Sequence, residues 1–558
     1  MEEPRKLTLQ EKIAQLRADY LARLPGELQY LRELATRLHG EARDRPILVE
    51  LHQRLHKVTG TAGSFGCGDL TQASRQVEQK IKQWLDNADV SGFDADACAA
   101  LKQGVFDLSA ETVPELQSAL PVAAVEPAIP SPVPRRKSLV WLMTADHQQA
   151  EQLANQLESF NYELHSLKDI SQLAAELGNT RPDLLILDQA LLADQLKAVE
   201  SLVDNHCLLL LMLASHDDFT ARAQAARLGV SGYFVRPLDT LGLISRIAQL
   251  LERATAPAER VLIVDDDADL AAHIQLTLMA AGMVAEVLSQ PTDILQVLAS
   301  FRPELVLMDL HMPAYSGTEL AGVIRQYDQY ANLPIVYLSA ETDPVRQIRA
   351  IRGGADDFLL KPVADVQLVV SVRARVARSR QLNDWIQRDS LTGLLRHAAV
   401  KSAYMEQIAR VRGTRNPTTV VMLDIDHFKR VNDTYGHPVG DRVIAAVGVL
   451  LRQRLRQSDI IGRYGGEEFL IVLPDCPLDN AVGIMEALRI HFAALSYSWD
   501  GGQFSCTLSV GMACTADFST LDASDLLERA DQALYRAKAG GRNRIEVARP
   551  DPASNVAG

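Results

Sequence analysis

The chain carries RPDLLILD at residues 181–188 and, farther on, RPELVLMD at residues 302–309. Each is an Arg-Pro step, an acid, a run of Leu, Ile, Val or Met, and a closing Asp. The match resumes with GYFVRP at 232–237 and DFLLKP at 357–362, at nearly the same offset, so residues 138–253 and 260–380 form an internal repeat. In each copy, short β-branched or Leu-rich runs alternate with helix-length amphipathic stretches, the pattern of a doubly wound parallel sheet. Ligand crevices of such sheets lie at the carboxyl ends of the strands, where both copies place acidic or small polar residues.

Around this repeat the chain divides further. A length of 558 residues exceeds one hydrophobic core and suggests about three to five domains. From Leu7 to Leu116 apolar residues recur at three- and four-residue spacing, which predicts an all-α helical bundle over 1–118. PVAAVEPAIPSPVPRR then reads as an extended linker over 119–137. From Val366 to Gln387 an Arg-rich helical pattern carries Val369, Val372, Val376 and Ile386, and reads as a signalling helix able to form a short coiled coil, continuing over 381–388. Residues 389–548 form a further α/β segment, and 549–558 a disordered tail.

A formal net charge of −14 disfavours general affinity for nucleic acid or anionic membranes, which require cationic surface. The six cysteines are scattered without a Cys-x-x-Cys pair, which suits a reducing compartment. MEEPRKLTLQ lacks an apolar signal core, and the longest apolar run, Cys207 to Ala214, is far shorter than the roughly 20 residues a bilayer requires. A cytoplasmic protein without a transmembrane segment is expected.

Four motifs occur in order in the C-terminal segment: DSLTGL (389–394), MLDIDHFKRVNDTYGHPVGD (422–441), RYGGEEF (463–469) and DQALYRAKAGGRN (531–543). Together they resemble the GGDEF diguanylate cyclase family across the whole segment, and imply a nucleotidyl-cyclase-like α/β domain that condenses two GTP into cyclic di-GMP and two pyrophosphate. Attack of a ribose 3′-hydroxyl on an α-phosphate needs a divalent ion to spread charge, an acid near the hydroxyl, and backbone room for phosphates. By resemblance, Asp424 and Glu467 are Mg²⁺ ligands together with the Ile425 carbonyl, and Glu468 supports the metal or the turn. Such hard oxygen donors are what Mg²⁺ favours. Glu467 is also the general base implied, and Lys429 the transition-state stabiliser. Asn432 and Asp441 match guanine readers, an amide and a carboxylate suiting the acceptors and donors of the base. Lys538 and Arg542 match triphosphate contacts, and Gly465 and Gly466 would leave room for phosphates. Arg456 and Asp459, in RQSD five residues before Gly465, resemble the family's product-inhibition site. The Arg that often assists that site is replaced by Ala487. One domain of this kind holds one GTP, so a homodimer or higher homo-oligomer is implied.

The second copy of the repeat resembles a response-regulator receiver. Asp265 and Asp266 follow its first strand, Asp309 the third, Ser339 the fourth, and Lys361 the fifth. Clustered carboxylates repel one another and so favour Mg²⁺. By the resemblance the metal is held by Asp265, Asp266, Asp309 and the His311 carbonyl, with Asp309 phosphorylated, Ser339 and Lys361 holding the phosphoryl oxygens, and Phe358 as switch aromatic. The first copy aligns Thr144 and Ala145 to the acidic pair, Ala214 to the Ser and Arg236 to the Lys. It retains Asp188, with Asp146 one place beyond the pair, and reads as a degenerate receiver.

LHKVTGTAGSFG, residues 55–66, resembles the histidine phosphotransfer module, with His56 as phosphoryl carrier and Thr59 at the usual Lys position. Gly60 and Ala62 would leave space beside the ring for a docking receiver. His52 and His56, four apart, read alternatively as half a metal site, with no further ligand to complete it. The partner implied is a sensor histidine kinase or phosphorelay protein. Two other functions stay open to the sequence: a catalytically silent sensor of GTP or cyclic di-GMP, and a phosphorelay adaptor acting through His56.

Overall fold

The structure, a computed structural model, describes residues 8–86, 93–109, 137–192, 196–206, 208–341, 343–412, 416–499, 502–518 and 522–549. Apart from Lys137, the linker expected over 119–137 lies outside these residues, as does all of the tail except Arg549. The chain forms two compact units, residues 1–129 with 257–383, and residues 130–256 with 384–558. Each thus joins segments distant in sequence.

In the first unit the N-terminal segment is helical as its periodicity predicts, with helices Leu9–Thr36, Arg45–Ala62, Gly68–Leu85 and Ala95–Phe106. The first begins in a reciprocal cap between Thr8 and Glu11. It runs through Pro25 because its buried face continues on Leu24, Leu28 and Leu31. Leu31, Leu48, Leu51, Leu55 and Ile81 are fully buried, each contributing on the order of 1.5–3 kcal/mol.

The remainder of this unit is a five-stranded parallel sheet. Its order is Asp357–Leu360, Ile335–Ser339, Leu305–Asp309, Arg260–Val264, Val284–Leu288. Leu305–Asp309 is buried at every position, as a central strand covered on both faces must be. Helix Asp365–Gln387 matches the expected signalling helix in extent. Its seam has a different use: Val369, Val372 and Val376 pack into the sheet's core with Leu338 and Leu359, whereas Ile386 is exposed. Those valines are therefore unavailable for a coiled coil, since one helical face cannot bury itself twice.

The second unit contains the other copy of the repeat, with strands Ser138–Met143, Tyr162–Leu167, Leu184–Asp188, Leu210–Ala214 and Tyr233–Val235. Numbered along the chain, they take the same order, second, first, third, fourth, fifth. Its C-terminal sheet is ordered Ile460–Arg463, Glu468–Leu473, Thr419–Ile425, Leu508–Cys514, Ile545–Val547, and is antiparallel except for the last pair. Helices His437–Arg454 and Leu478–Ala494 cover one face and His397–Val411 and Ala523–Ala539 the other. The last helix approaches so closely that a Cβ on Gly511 would lie 2.1 Å from the Leu534 nitrogen.

Within this unit helix Thr240–Ala254 lies against His437–Arg454. Val449 joins the apolar cluster of Leu243, Ile247 and Leu250, and the nearly buried Arg452 faces Glu252 at 4.0 Å. Among the described residues no helix is long and apolar enough to cross a membrane.

Candidate functional sites

The C-terminal site is built at the end of its central strand. Thr419–Ile425 is buried throughout, and its register pairs Asp424 with Glu468 on one neighbour and Ser509 on the other. The Ile425 amide donates to the Glu467 carbonyl at 3.3 Å. Strand pairing thus brings the DID and GGEEF motifs together, although some forty residues separate them. Burial pushes the Asp424 carboxyl up to about 6 despite the Lys538 ammonium beside it, 2.8 Å away. Burial likewise raises Glu467. The buried Asp424 and half-buried Glu467 are oxygen donors whose charged form a divalent cation would stabilise. Lys538, expected at the triphosphate, here pairs with Asp424.

The two turn glycines have different reasons. A Cβ on Gly465 would meet the Glu468 carboxylate at 2.8 Å, whereas one on Gly466 would enter open space. Only the second offers the vacancy expected of both. The turn is held by Arg463, which donates to the Gly466 carbonyl at 2.8 Å and pairs with Asp389 at 3.2 Å. The DSLTGL motif therefore reaches the turn through one guanidinium. Sequence reading missed this, because an Arg before a turn is an ordinary surface residue.

Asp426 was also missed. It is buried and accepts from Thr507 Oγ1 and Ser509 Oγ, both at 2.6 Å, and from the Asn543 amide at 3.0 Å. It fastens the GGRN loop, where Arg542 and Asn543 have left-handed φ of 61° and 47°, to the strand end. Asn432, on helix Phe428–Tyr435, has a buried Oδ1 without a hydrogen-bond donor, an orphan acceptor of the kind a bound base could satisfy. Asp441 and Lys429 are exposed. Arg456 is exposed too, and its amide donates to the Asp459 carboxylate at 2.7 Å, which closes the RQSD turn.

The second copy assembles its expected groups. Carboxylate oxygens of Asp265, Asp266 and Asp309 lie within 4.8 Å of one another, the one such acidic or metal-ligating group among the described residues. Three hard oxygen donors so close could hold a divalent ion. Lys361 Nζ sits 3.0 Å from Asp265 and 3.3 Å from Asp309. Burial raises the Asp265 carboxyl to about 6 against the pull of that lysine. Ser339 is buried, and its Oγ accepts the Glu341 amide at 3.1 Å. Phe358 is half-buried against the core.

In the same unit the N-terminal helices lie on this acidic pocket. The His56 ring meets His311 edge-on with centroids 5.4 Å apart, and His56 Nδ1 is 2.6 Å from Glu78. Burial opposes the imidazolium, yet Glu78 raises the His56 pKa overall. Lys57 pairs with Asp266 at 3.0 Å, and Thr61 donates to Asp267. Glu78 was not foreseen, although an acid among Leu70, Val77 and Ile81 on a buried face is a signal. His52 lies 4.0 Å from the same Glu78 oxygen. Among the described residues, the ligand atoms of His52, His56 and Glu78 do not all come within the 4.8 Å shared by the three aspartates.

In the first copy the crevice is neutralised from within. Arg236 donates to Asp188 at 2.7 Å and to Gln149 at 2.8 Å, and Thr144 Oγ1 donates to Asp188 at 2.9 Å.

Comparison with known proteins identifies two of these segments. Residues 386–544 match the family model of the diguanylate cyclase GGDEF domain, and residues 261–373 that of the response regulator receiver domain. The chain is 26% identical over 431 residues to the response regulator PleD of Caulobacter vibrioides, covering 69% of this chain and 93% of that protein. It is 44% identical over 160 residues to the diguanylate cyclase DgcP of Pseudomonas aeruginosa, covering 29% of this chain and 24% of the relative. Diguanylate cyclase A of Treponema denticola is 31% identical over 187 residues, covering 33% and 50%.

Proposed function

We propose that this chain, a GGDEF diguanylate cyclase with a receiver domain, is gated by phosphorylation of Asp309 and restrained by its own product at Arg456 and Asp459. The observation that carries the cyclase reading is the pairing of Asp424 with Glu468, which sets two acidic motifs on adjoining strands. Asp424, Glu467 and the Ile425 carbonyl would hold Mg²⁺, with Glu468 supporting them. The ion would draw charge from the triphosphate under attack. Asn432 and Asp441 read guanine, Lys538 and Arg542 bind phosphates, Lys429 meets charge developing in the transition state, and Glu467 takes the 3′-hydroxyl proton. Each domain brings one GTP, so the active form is a homodimer or larger.

On the regulatory side Asp265, Asp266, Asp309 and the His311 carbonyl would hold a second Mg²⁺, and Ser339 and Lys361 the phosphoryl oxygens. A sensor kinase or phosphorelay protein supplies the phosphoryl group. The first copy is a degenerate receiver, because Arg236 occupies the charge that a metal would need. The N-terminal bundle is a histidine phosphotransfer module carrying His56.

The test is to incubate the full chain with GTP and Mg²⁺, with and without a small phosphodonor, and to quantify cyclic di-GMP beside a Glu467→Ala control. Product that rises with phosphodonor and vanishes in the control is expected. Equal rates with and without phosphodonor would refute the gating, and product in the Glu467→Ala control would refute the site assignment.

A further inference from the structure

We propose that His56 and Asp309 of one chain exchange a phosphoryl group directly, so that the N-terminal bundle serves as the receiver's own phosphotransfer partner. This rests on reading the bundle as a phosphotransfer module and supplies the identity of its partner. Three observations carry it. His56 and Asp309 line one cavity of about 280 Å³, together with Asp266 and Lys361. The hydrogen bond between His56 Nδ1 and Glu78, at 2.6 Å, selects the tautomer with the proton on Nδ1 and leaves Nε2 its lone pair. The surfaces are also complementary in charge and shape.

That complementarity is specific. Lys57 meets Asp266 at 3.0 Å, Lys82 meets Glu341 at 2.7 Å and Arg23 meets Asp269 at 2.7 Å. Arg75 donates to the Lys361 carbonyl at 2.5 Å. Gly63, whose φ of −64° any residue could adopt, faces Pro362 so closely that a Cβ would lie 2.4 Å from the proline Cβ. A glycine kept there for space rather than for backbone conformation marks a fitted contact.

The step is balanced without a further reactant. The Nε2 lone pair attacks the phosphorus of the Asp309 acyl phosphate, a P–N bond forms, and the P–O bond to the carboxylate breaks with its electron pair staying on Asp309. The Nδ1 proton stays in the hydrogen bond to Glu78, which balances the charge gained by the ring. Lys361, within reach of Asp309, steadies the carboxylate that leaves. The reverse step returns the group to Asp309.

The experiment uses the full chain with Mg²⁺ and radiolabelled acetyl phosphate, and sorts the label chemically, since an acyl phosphate is lost in base whereas a phosphoimidazole survives base and is lost in acid. The expected result is base-stable label that His56→Gln and Asp309→Asn each abolish and that a mixture of the two variants does not restore. Restoration in the mixture would overturn exchange within one chain, and base-stable label in Asp309→Asn alone would overturn Asp309 as its source. Gly63→Ala should slow the appearance of base-stable label roughly 10–100-fold by displacing the ring, while Asp309 still takes label; an unchanged rate would overturn the docked geometry. Phosphoramidate, which loads imidazoles directly, separates the two readings. If it labels His56 of Asp309→Asn while acetyl phosphate gives the wild type only base-labile label, the module stands and the exchange fails. If neither donor labels His56, both fail.

Discussion

Replacing Asp426 by Ala tests whether the GGRN loop is fastened to the catalytic strand by one buried carboxylate. Its oxygens accept from Thr507 Oγ1, Ser509 Oγ and the Asn543 amide. The two hydroxyls can rotate toward other acceptors, but the amide is fixed by a left-handed backbone, with φ of 47° at Asn543. A hydrogen bond to a charged acceptor is worth about 1.5–3 kcal/mol, so losing the amide bond alone destabilises the loop locally by roughly that amount. At about 1.4 kcal/mol per decade, that single bond corresponds to roughly 10–100-fold faster opening. Hydrogen exchange followed by mass spectrometry on the full chain should show that acceleration in peptides spanning 541–545. The GTP KM should rise as well, because Arg542 moves with the loop. Asp426→Asn, which keeps the volume and one acceptor, should fall between. Unchanged exchange in Asp426→Ala would refute the fastening outright.

Other consequences are as specific. Arg463→Ala frees both the Gly466 carbonyl and Asp389, and kcat/KM for cyclic di-GMP synthesis should drop about 10–100-fold through misplacement of the turn. Arg456→Ala should leave the initial rate unchanged and keep progress curves linear as product accumulates; curvature equal to wild type would remove the inhibitory site from Arg456. Arg236→Gln leaves Asp188 buried without its cation and should destabilise the first copy by roughly 3–5 kcal/mol. Thermal unfolding with an unchanged transition for that domain would contradict the pairing.

Much of the fold was legible because its signals are local. RPDLLILD and RPELVLMD predicted two related parallel sheets, and the two sheets share one strand order. The helical N-terminal segment followed from its periodicity in the same way. The valines of helix Asp365–Gln387 were misjudged because a heptad-like seam and the inner face of a domain-covering helix have nearly the same spacing. Only the tertiary neighbours Leu338 and Leu359 distinguish them. In the catalytic domain, the residues expected at the substrate are named by the motifs themselves. Asp426, Arg463 and Asp389 lie in the same motifs, but their positioning role depends on partners distant in sequence, which the motifs do not reveal. The same holds for Glu78, whose partner His56 lies on another helix.

The two copies of the repeat show how a shared scaffold separates into different chemistries. Both end their third strand in Asp, buried at 5% exposure in Asp188 and 3% in Asp309. Around Asp188 the fold supplies Thr144 and one guanidinium, so acid and base cancel and no excess negative charge remains to recruit a divalent ion. Around Asp309 it supplies Asp265 and Asp266 against the single cation Lys361, a formal excess of carboxylate that would attract one. Converting the first copy would therefore take more than Arg236→Lys, because that change preserves the charge balance; Thr144 and Ala145 would have to become acids as well. In the second copy the bundle's Lys57 reduces the same excess through one oxygen of Asp266, Oδ2. Bundle docking and the proposed metal binding would consequently draw on one carboxylate. On the proposed reading, Lys57→Ala should tighten Mg²⁺ binding at the receiver, which fluorescence or calorimetric titration of the full chain would detect as a lower Kd. An unchanged Kd would show that Lys57 and the ion do not compete.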